Sequence, residues 1–355
     1  MDVSVSINDS RNIKEFKDQT FSKFKKSEVK KELLKCIIHN KLEETCNWSA
    51  ELICTGSFLD IWEIILLVTG KHINLGNPRL PIYINMRYNI FKKIMNTTNG
   101  KDELSLRNNQ QLRALFAELF SIICISNKNP AFESIKFNSN SEFILTHLST
   151  RLRAPNMNYA KYIWRDNDPS EIYIAINELS FQLESSQGGL LNCYYWVEWI
   201  IEFDRQCRKK KNSIICETRT HIHVESKFQR NVIWIIWDLI IYMSTNTTNK
   251  LIKKINDSLL ELFSIRYTVS NNKKRKTLIF FAIELLLENR NLDIDIIDND
   301  YKNVISSVCN NIDSIYKKIK KNENYINNSY STNKENNKSS LLKTMEKLEI
   351  LNSIS

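Results

Sequence analysis

The sequence predicts a mostly α-helical protein with a multi-helical, bundle-like globular body, and three observations predict it. The 355 residues include only 6 Gly and 5 Pro, so few turns are obligatory and helices are favoured over many short strands. Hydrophobic residues make up 42% of the chain, which is enough for a large core. Two segments dense in Trp, Tyr and Ile, YYWVEWIIEFDRQC (194–207) and NVIWIIWDLIIYM (231–243), are typical of buried helices, being too short to span a bilayer and too apolar for a surface.

The first half of the chain is predicted to form one helical subdomain. Residues 1–30 are charged and are predicted to be a loosely attached N-terminal segment. Residues 31–126 are predicted to be helical, with apolar residues such as Leu112 and Phe116 at the three- and four-residue spacing of a buried face. Residues 127–155 are polar, contain two prolines, and are predicted to be a connector.

Residues 156–321 are predicted to form a second helical subdomain with a Trp-rich core. Its clearest local signal is a helix start at Asp168-Pro169-Ser170-Glu171. Asp168 is suited to cap the helix, Pro169 suits the first helical position, and Glu171 falls where a capping box places its acid.

Three further segments complete the prediction. Residues 212–224 alternate enough to make a short hairpin, although a loop fits the same pattern. Residues 322–340 are dominated by Asn, Ser and Lys and are predicted to be a flexible linker. Residues 341–355 are predicted to be an amphipathic C-terminal helix that docks back or binds another chain.

The charge and the cysteines limit the setting of the protein. The formal net charge is +10, from 50 basic and 40 acidic residues, which permits attraction to nucleic acid or to an anionic surface. A solvated surface encoded by an AT-rich genome explains the same excess. The chain begins without the apolar stretch of a secretory signal, so we expect cytosolic synthesis and free thiols for the 8 cysteines. No apolar run reaches the ~18–20 residues of a membrane span.

A zinc site is the first candidate for chemistry. Cys207, Cys216, His221 and His223 supply the nitrogen and sulfur ligands that zinc prefers. Their spacing, Cys-x8-Cys-x4-His-x-His, matches no familiar zinc finger, so unrelated thiols and imidazoles remain the alternative and no cofactor is required. A second grouping by position holds Cys36, His39, Cys46 and Cys54.

Acidic residues inside apolar helices are the second candidate. Glu198 and Glu202 lie four residues apart and share one helix face; others are Asp60, Glu63, Asp238 and Glu284. Paired carboxylates hold divalent metals or transfer protons, but buried acids are more often neutralised by internal cations. The partners available are Arg113, Arg205, Arg219 and Arg230. No nucleophile elbow, nucleotide-binding glycine loop or zinc-protease motif occurs.

Basic runs are the third candidate, for binding nucleic acid phosphates. The first run is Arg208, Lys209, Lys210 and Lys211, and the second is Lys273, Lys274, Arg275 and Lys276. A third run spans 317–321. The first run also sits at a predicted helix end, where cations offset the helix dipole without any ligand. The tryptophan pairs Trp196/Trp199 and Trp234/Trp237 suit base stacking or a partner groove, but their Ile and Val neighbours favour core packing.

Several long strings resemble a known family. They are WSAELICTGSFLDIWEIIL, GNPRLPIY, RLRAPNMNYAKYIWRDNDPSEIYIAINEL, YYWVEWIIEFDRQCRKKK and VIWIIWDLI. They resemble an uncharacterised family encoded by nucleocytoplasmic large DNA viruses of the mimivirus-like and algal-virus groups, over residues 45–290. The family has no assigned activity, so the resemblance implies no active site. It implies viral protein partners and a setting in the virus factory of the host cytoplasm or in the virion.

Three hypotheses follow. The first is a non-enzymatic helical scaffold or interaction protein that acts in virion assembly or in a multiprotein complex. The second is a nucleic-acid-associated factor in viral transcription or genome packaging that uses the basic runs. The third is an enzyme that uses Glu198 and Glu202, or the cysteine and histidine set, with a metal.

Overall fold

The computed structural model describes residues 7, 9, 11–97, 103–135, 143–185 and 189–320. Within these ranges the protein is 67% helical, with thirteen α-helices and no strand, and the prediction of a mostly α-helical protein is confirmed. The predicted linker at 322–340 and the predicted C-terminal helix at 341–355 lie outside the described residues.

The helices range from 5 to 22 residues in length, and the connections at 150–172 and 210–232 are long. The helices are α1 (Lys26–Ile38), α2 (Leu42–Cys54), α3 (Phe58–Val68), α4 (Leu80–Thr97), α5 (Glu103–Arg107), α6 (Gln110–Ile125), α7 (Leu145–Ser149), α8 (Tyr173–Glu184), α9 (Leu190–Lys209), α10 (Ile233–Asn246), α11 (Lys250–Ser264), α12 (Asn271–Leu287) and α13 (Asn299–Lys320). Among the described residues, no helix combines the length and the apolar character that crossing a membrane would need.

Two compact units divide the chain, and they interleave along it. Unit 1 takes Met1–Val68, Met86–Lys128 and Asp295–Ser355, and unit 2 takes Thr69–Asn85 and Asn129–Ile294, as far as these ranges are described. The predicted subdomains instead follow the chain in order. The difference arises because α13 packs against α2 and α6, and the periodicity of a helix does not reveal which helices it will contact.

Unit 1 is built on α1, α2, α6 and α13, which pack against one another. Helix α6 begins where the Asn109 side chain accepts a hydrogen bond from the amide of Leu112 at 3.1 Å, which satisfies one of the free amides of the first turn. The apolar positions predicted for its buried face are all buried: Leu112, Leu115, Phe116, Leu119, Phe120 and Ile123.

The described part of residues 1–30, which we predicted to attach loosely, packs onto unit 1. Phe16, Phe21 and Phe24 are buried. Ahead of them the Asp9 carboxylate accepts hydrogen bonds from Arg107 Nη2 at 2.6 Å and Lys320 Nζ at 2.8 Å. All three side chains are at most 4% exposed. A buried carboxylate shared by two cations therefore ties the start of the chain to α5 and α13.

Unit 2 packs α8 to α12 around the tryptophan-rich helices. Trp196, Trp199, Trp234 and Trp237 are all buried, so the prediction that they pack in the core is confirmed. Helix α12 is buried at every position from Arg275 to Leu285. A helix that is buried all round lies in the interior of its unit.

The predicted start of α8 is wrong at its cap. The helix begins at Tyr173 after a 3-10 turn at Ser170–Ile172, and no side chain caps it. The Asp168 carboxylate instead binds Arg219 and accepts hydrogen bonds from the amides of Arg165 and Glu217 at 3.1 and 3.0 Å. The carboxylate that the sequence predicts as a local helix cap therefore binds a guanidinium that is distant in the sequence.

The alternative of a hairpin at 212–224 is also corrected, because this part of the described chain is a loop. Its backbone makes two isolated hydrogen bonds to the residues just before α10, from Cys216 N to Arg230 O and from Arg219 N to Gln229 O, both at 3.0 Å. Two isolated bonds hold a loop in place but make no ladder of strands.

The buried charge cluster of unit 1 yields a first prediction. Asp9→Asn is expected to lower the free energy of unfolding by about 3–5 kcal/mol, because it leaves two buried cations without a carboxylate. Urea unfolding followed by circular dichroism measures the change. Asp257→Asn, at the exposed pair of Asp257 and Lys253, is the matched control and should change stability by less than about 1 kcal/mol. A similarly small loss for Asp9→Asn would contradict this account.

Candidate functional sites

The acids of the tryptophan-rich helix α9 are held by cations inside unit 2. Glu198 forms an ion pair with Lys276 of α12, and both side chains are largely buried. Glu202 accepts a hydrogen bond from Arg205 Nε at 2.6 Å and another from Gln206 at 2.7 Å. The predicted pair of carboxylates therefore serves two separate contacts, one buried at Glu198 and one near the surface at Glu202, rather than one shared site.

The remaining acids of the apolar helices also have partners. Asp238 binds Arg219 at 2.9 Å, Asp60 binds Lys30 at 3.1 Å, and Glu284 accepts a hydrogen bond from the hydroxyl of Tyr194. Of the predicted partners, Arg205 and Arg219 do hold these acids. The other two do not: Arg113 binds Asp313 at 2.8 Å, and Arg230 points to the carbonyl of Cys216.

The basic run that opens α12 divides between the surface and the interior. Lys273 and Lys274 are exposed, whereas Arg275 and Lys276 are buried. Arg275 donates to the carbonyls of Phe263 and Ile265 at 2.6 and 2.7 Å. Half of this predicted nucleic-acid site is thus structural, because α12 is buried on all sides from Arg275 to Leu285.

The basic run that ends α9 stays outside. Lys209, Lys210 and Lys211 are exposed, and Arg208 pairs with Asp204 one turn earlier at 2.9 Å. The structure also brings this run towards α12. Glu198 of α9 binds Lys276 of α12, whereas Tyr194, one turn earlier in α9, binds Glu284, two turns later in α12. The two helices therefore run antiparallel.

This pairing collects exposed cations at one end of unit 2, which we call the basic end. Its members are Lys209, Lys210, Lys211, Arg230, Arg266, Lys273 and Lys274, all exposed. Arg266 precedes α12 in the turn from α11. Arg230 is placed there because the side chain of its neighbour Asn231 accepts a hydrogen bond from Asn272 at 3.1 Å. Sequence reasoning missed both arginines because neither belongs to a run.

The predicted zinc ligands are not brought together. Among the described residues, no three His, Cys, Asp or Glu side chains are grouped so that they could hold a metal ion. Three of the four candidate ligands contact other groups instead. Cys216 donates to the carbonyl of Asn231 at 3.2 Å, His221 binds Asp238 at 2.9 Å, and His223 binds Glu261 at 3.2 Å. Burial also raises the pKa of Cys216 to about 12, which disfavours the thiolate that zinc needs.

The second cysteine grouping is inside unit 1. Cys36, Cys46 and Cys54 are buried, and burial raises the pKa of Cys36 and of Cys46 to about 12. His39 is exposed at the end of α1. These thiols are core residues with little nucleophilic character at neutral pH.

The loop after α9 is organised by one buried guanidinium. Arg219 binds both oxygens of Asp168, with Nη2 2.7 Å from Oδ2, and its Nε lies 2.9 Å from Oδ2 of Asp238. The side chains of Arg219 and Asp168 are 0% exposed. Arg219 thereby joins the loop before α8, the loop after α9, and helix α10. This is the charge arrangement that replaces the predicted hairpin.

An open groove lies beside this network, and we call it the tyrosine groove. It is lined by Tyr162, Trp164, Arg165, His221, Asp238 and Tyr242. The rings of Tyr162 and Tyr242 stack with centroids 4.1 Å apart, and each side chain remains 39% exposed. The sequence had singled out only His221 and Asp238, for other roles. Tyr162 and Arg165 carry no spacing signal, so only the fold could place them here.

Comparison with known proteins gives no assignment: no family model, curated protein or solved structure matches the chain. The resemblance to proteins of large DNA viruses therefore stays a prediction.

The buried carboxylate of Glu284 yields a prediction about pH. Burial raises the pKa of Glu284 above its usual value, so the folded state holds this proton more tightly than the unfolded state. The stability that this adds is present below about pH 4.5 and is lost as pH rises through the folded pKa. Glu284→Gln, which can still accept from Tyr194, should lose less stability between pH 4.5 and 7.5 than the native protein.

Urea unfolding at several pH values in this range measures the difference. Glu225→Gln, at an exposed carboxylate, is the control and should follow the native pH dependence. Identical slopes for Glu284→Gln and the native protein would show that Glu284 is not held protonated by the fold.

Proposed function

We propose that this protein is a non-enzymatic helical scaffold or interaction protein of a large DNA virus, acting in virion assembly or in a multiprotein complex in the host cytoplasm. The observation that carries the proposal is the internal pairing of the acids in its apolar helices. Glu198, Asp238 and Glu284 each hold a neighbouring side chain of unit 2. These contacts join helices to one another and to the loop after α9, which is what a rigid binding platform requires.

A surface for a protein partner is available on α4 in unit 1. Met86 and Ile90 lie one turn apart, so they share a face of the helix, and they are 60% and 37% exposed. Met is a flexible side chain that is common at protein-binding surfaces. Neighbouring exposed apolar residues of this kind support contact with another protein.

The test is recovery of viral proteins from infected cells. Tagged protein is expected to retain a defined set of viral proteins after nuclease treatment, and the double substitution Met86→Glu and Ile90→Glu should reduce that set several-fold. Leu191→Glu, at a residue of unit 2 that is 59% exposed, is the control for a charge placed on an exposed apolar position. Loss of every protein on nuclease treatment would overturn the scaffold proposal.

A second candidate function is association with nucleic acid during viral transcription or genome packaging. The specific observation in its favour is the basic end of unit 2. Two runs that lie far apart in the sequence meet there because α9 and α12 are antiparallel, and two isolated arginines join them. Clustered exposed cations bind the phosphate backbone with a strong dependence on salt.

The salt dependence of DNA binding tests this second function. Changing Lys209, Lys210, Lys273 and Lys274 to Gln should weaken binding to a fluorescent duplex and lower the slope of log Kd against log salt by up to about 3–4, since each phosphate contact contributes about 0.9. The control changes Lys92 and Lys93 to Gln; both are exposed on α4 in unit 1 and lie outside the predicted basic runs, so the slope should stay unchanged. Equal effects of both sets would refute a role for the basic end.

A further inference from the structure

The tyrosine groove has the charge of a site for cations. Four carboxylates belong to it or border it: Asp168, Glu184, Glu217 and Asp238. Tyr162, which lines the groove, donates its hydroxyl proton to Glu184, and Arg165 lies 3.7 Å from Glu217. Against these acids stand two guanidinium groups, those of Arg165 and Arg219. The four carboxylates outnumber these two groups, so the local balance is negative, which favours a positively charged ligand.

The imidazole of His221 is a further polar group of the groove. Its Nε2 lies 2.9 Å from Oδ1 of Asp238, and this contact orients the ring. The His221 side chain is 50% exposed, so part of the ring faces solvent.

The stacked tyrosines supply the surface for the ligand to lie on. Tyr162 and Tyr242 are held against each other, and both are partly exposed. The face of an aromatic ring attracts an ammonium or guanidinium group. Aromatic rings and carboxylates in one groove make the combination that recognises such a group.

A guanidinium already occupies part of the groove. Arg165 donates to the carbonyl of Thr218 at 3.2 Å and lies 3.9 Å from Asp238, while its side chain is 34% exposed. The acceptors around it show that the groove accommodates this kind of cation. Arg165 would also compete with an incoming cationic ligand. Removing its charge should therefore strengthen the binding of a cation.

We infer that the tyrosine groove binds the ammonium or guanidinium group of a lysine or arginine side chain presented by a partner protein. The inference rests on the proposed interaction function and adds the chemistry of the partner. It is independent of the basic end, which attracts the opposite charge.

The experiment is a calorimetric titration of the full chain with a tri-lysine and a tri-arginine peptide, with tri-glutamate as the peptide control. Tyr242→Leu, which keeps an apolar side chain, should weaken binding of the cationic peptides about two- to five-fold through loss of the aromatic face. Tyr301→Leu is the matched control, because Tyr301 is similarly exposed, at 44%, on α13 of unit 1. It should leave the affinity unchanged.

Two further variants test whether the groove selects a positively charged ligand, and they separate this from an effect on folding. Arg165→Gln should tighten binding of the cationic peptides, because it removes the resident cation, and Glu217→Gln should weaken it. Thermal unfolding verifies that each variant is folded. A preference for tri-glutamate, or weaker binding of tri-lysine by Arg165→Gln, would overturn the inference.

The outcome is distinguishable from failure of the scaffold proposal. If the native chain binds no cationic peptide but still retains viral proteins after nuclease treatment, the groove inference alone is wrong. If it binds the peptides through Tyr242 but retains no viral protein, the groove stands and the scaffold proposal is wrong.

Discussion

The contact on which the arrangement of unit 2 depends is the buried guanidinium of Arg219 between Asp168 and Asp238. A buried charge is tolerated only when its hydrogen bonds and its charge are both satisfied. Arg219 meets this requirement by drawing two loops and helix α10 to one point. That one requirement accounts for the course of the loop after α9 and for the late start of α8. It also fixes Asp238, which lines the tyrosine groove.

Unit 1 uses the same device at its start. Asp9 holds Arg107 and Lys320, and the side-chain amide of Asn108 donates a hydrogen bond to the backbone carbonyl of Asp9. Around this cluster the packing is apolar, with the phenylalanines of the N-terminal segment and the inner face of α6 buried. In both units apolar helices supply most of the buried surface, and a few buried ion pairs decide which segments meet.

Much of the fold could be predicted, but little of the candidate sites. The helices around Leu112 and Trp196 were predictable because a three- to four-residue apolar spacing describes a buried face directly. The predicted zinc ligands are not brought together. His221 and His223 are close in the sequence, but in the folded loop they contact two different carboxylates, those of Asp238 and Glu261. Two cations of the second basic run, Arg275 and Lys276, are buried, because cations also satisfy buried acceptors, as Lys276 does for Glu198.

The sequence by itself determined that the chain is helical, that its tryptophans are buried, and that the acids inside its apolar helices need internal partners. The tertiary structure alone decided which partners they take. Asp168 and Arg219 are 51 residues apart, and Asp9 and Lys320 are 311 residues apart. The physical reason is that local periodicity specifies which side of a helix avoids water. The choice of neighbour depends on charges and shapes that meet only after the chain has folded.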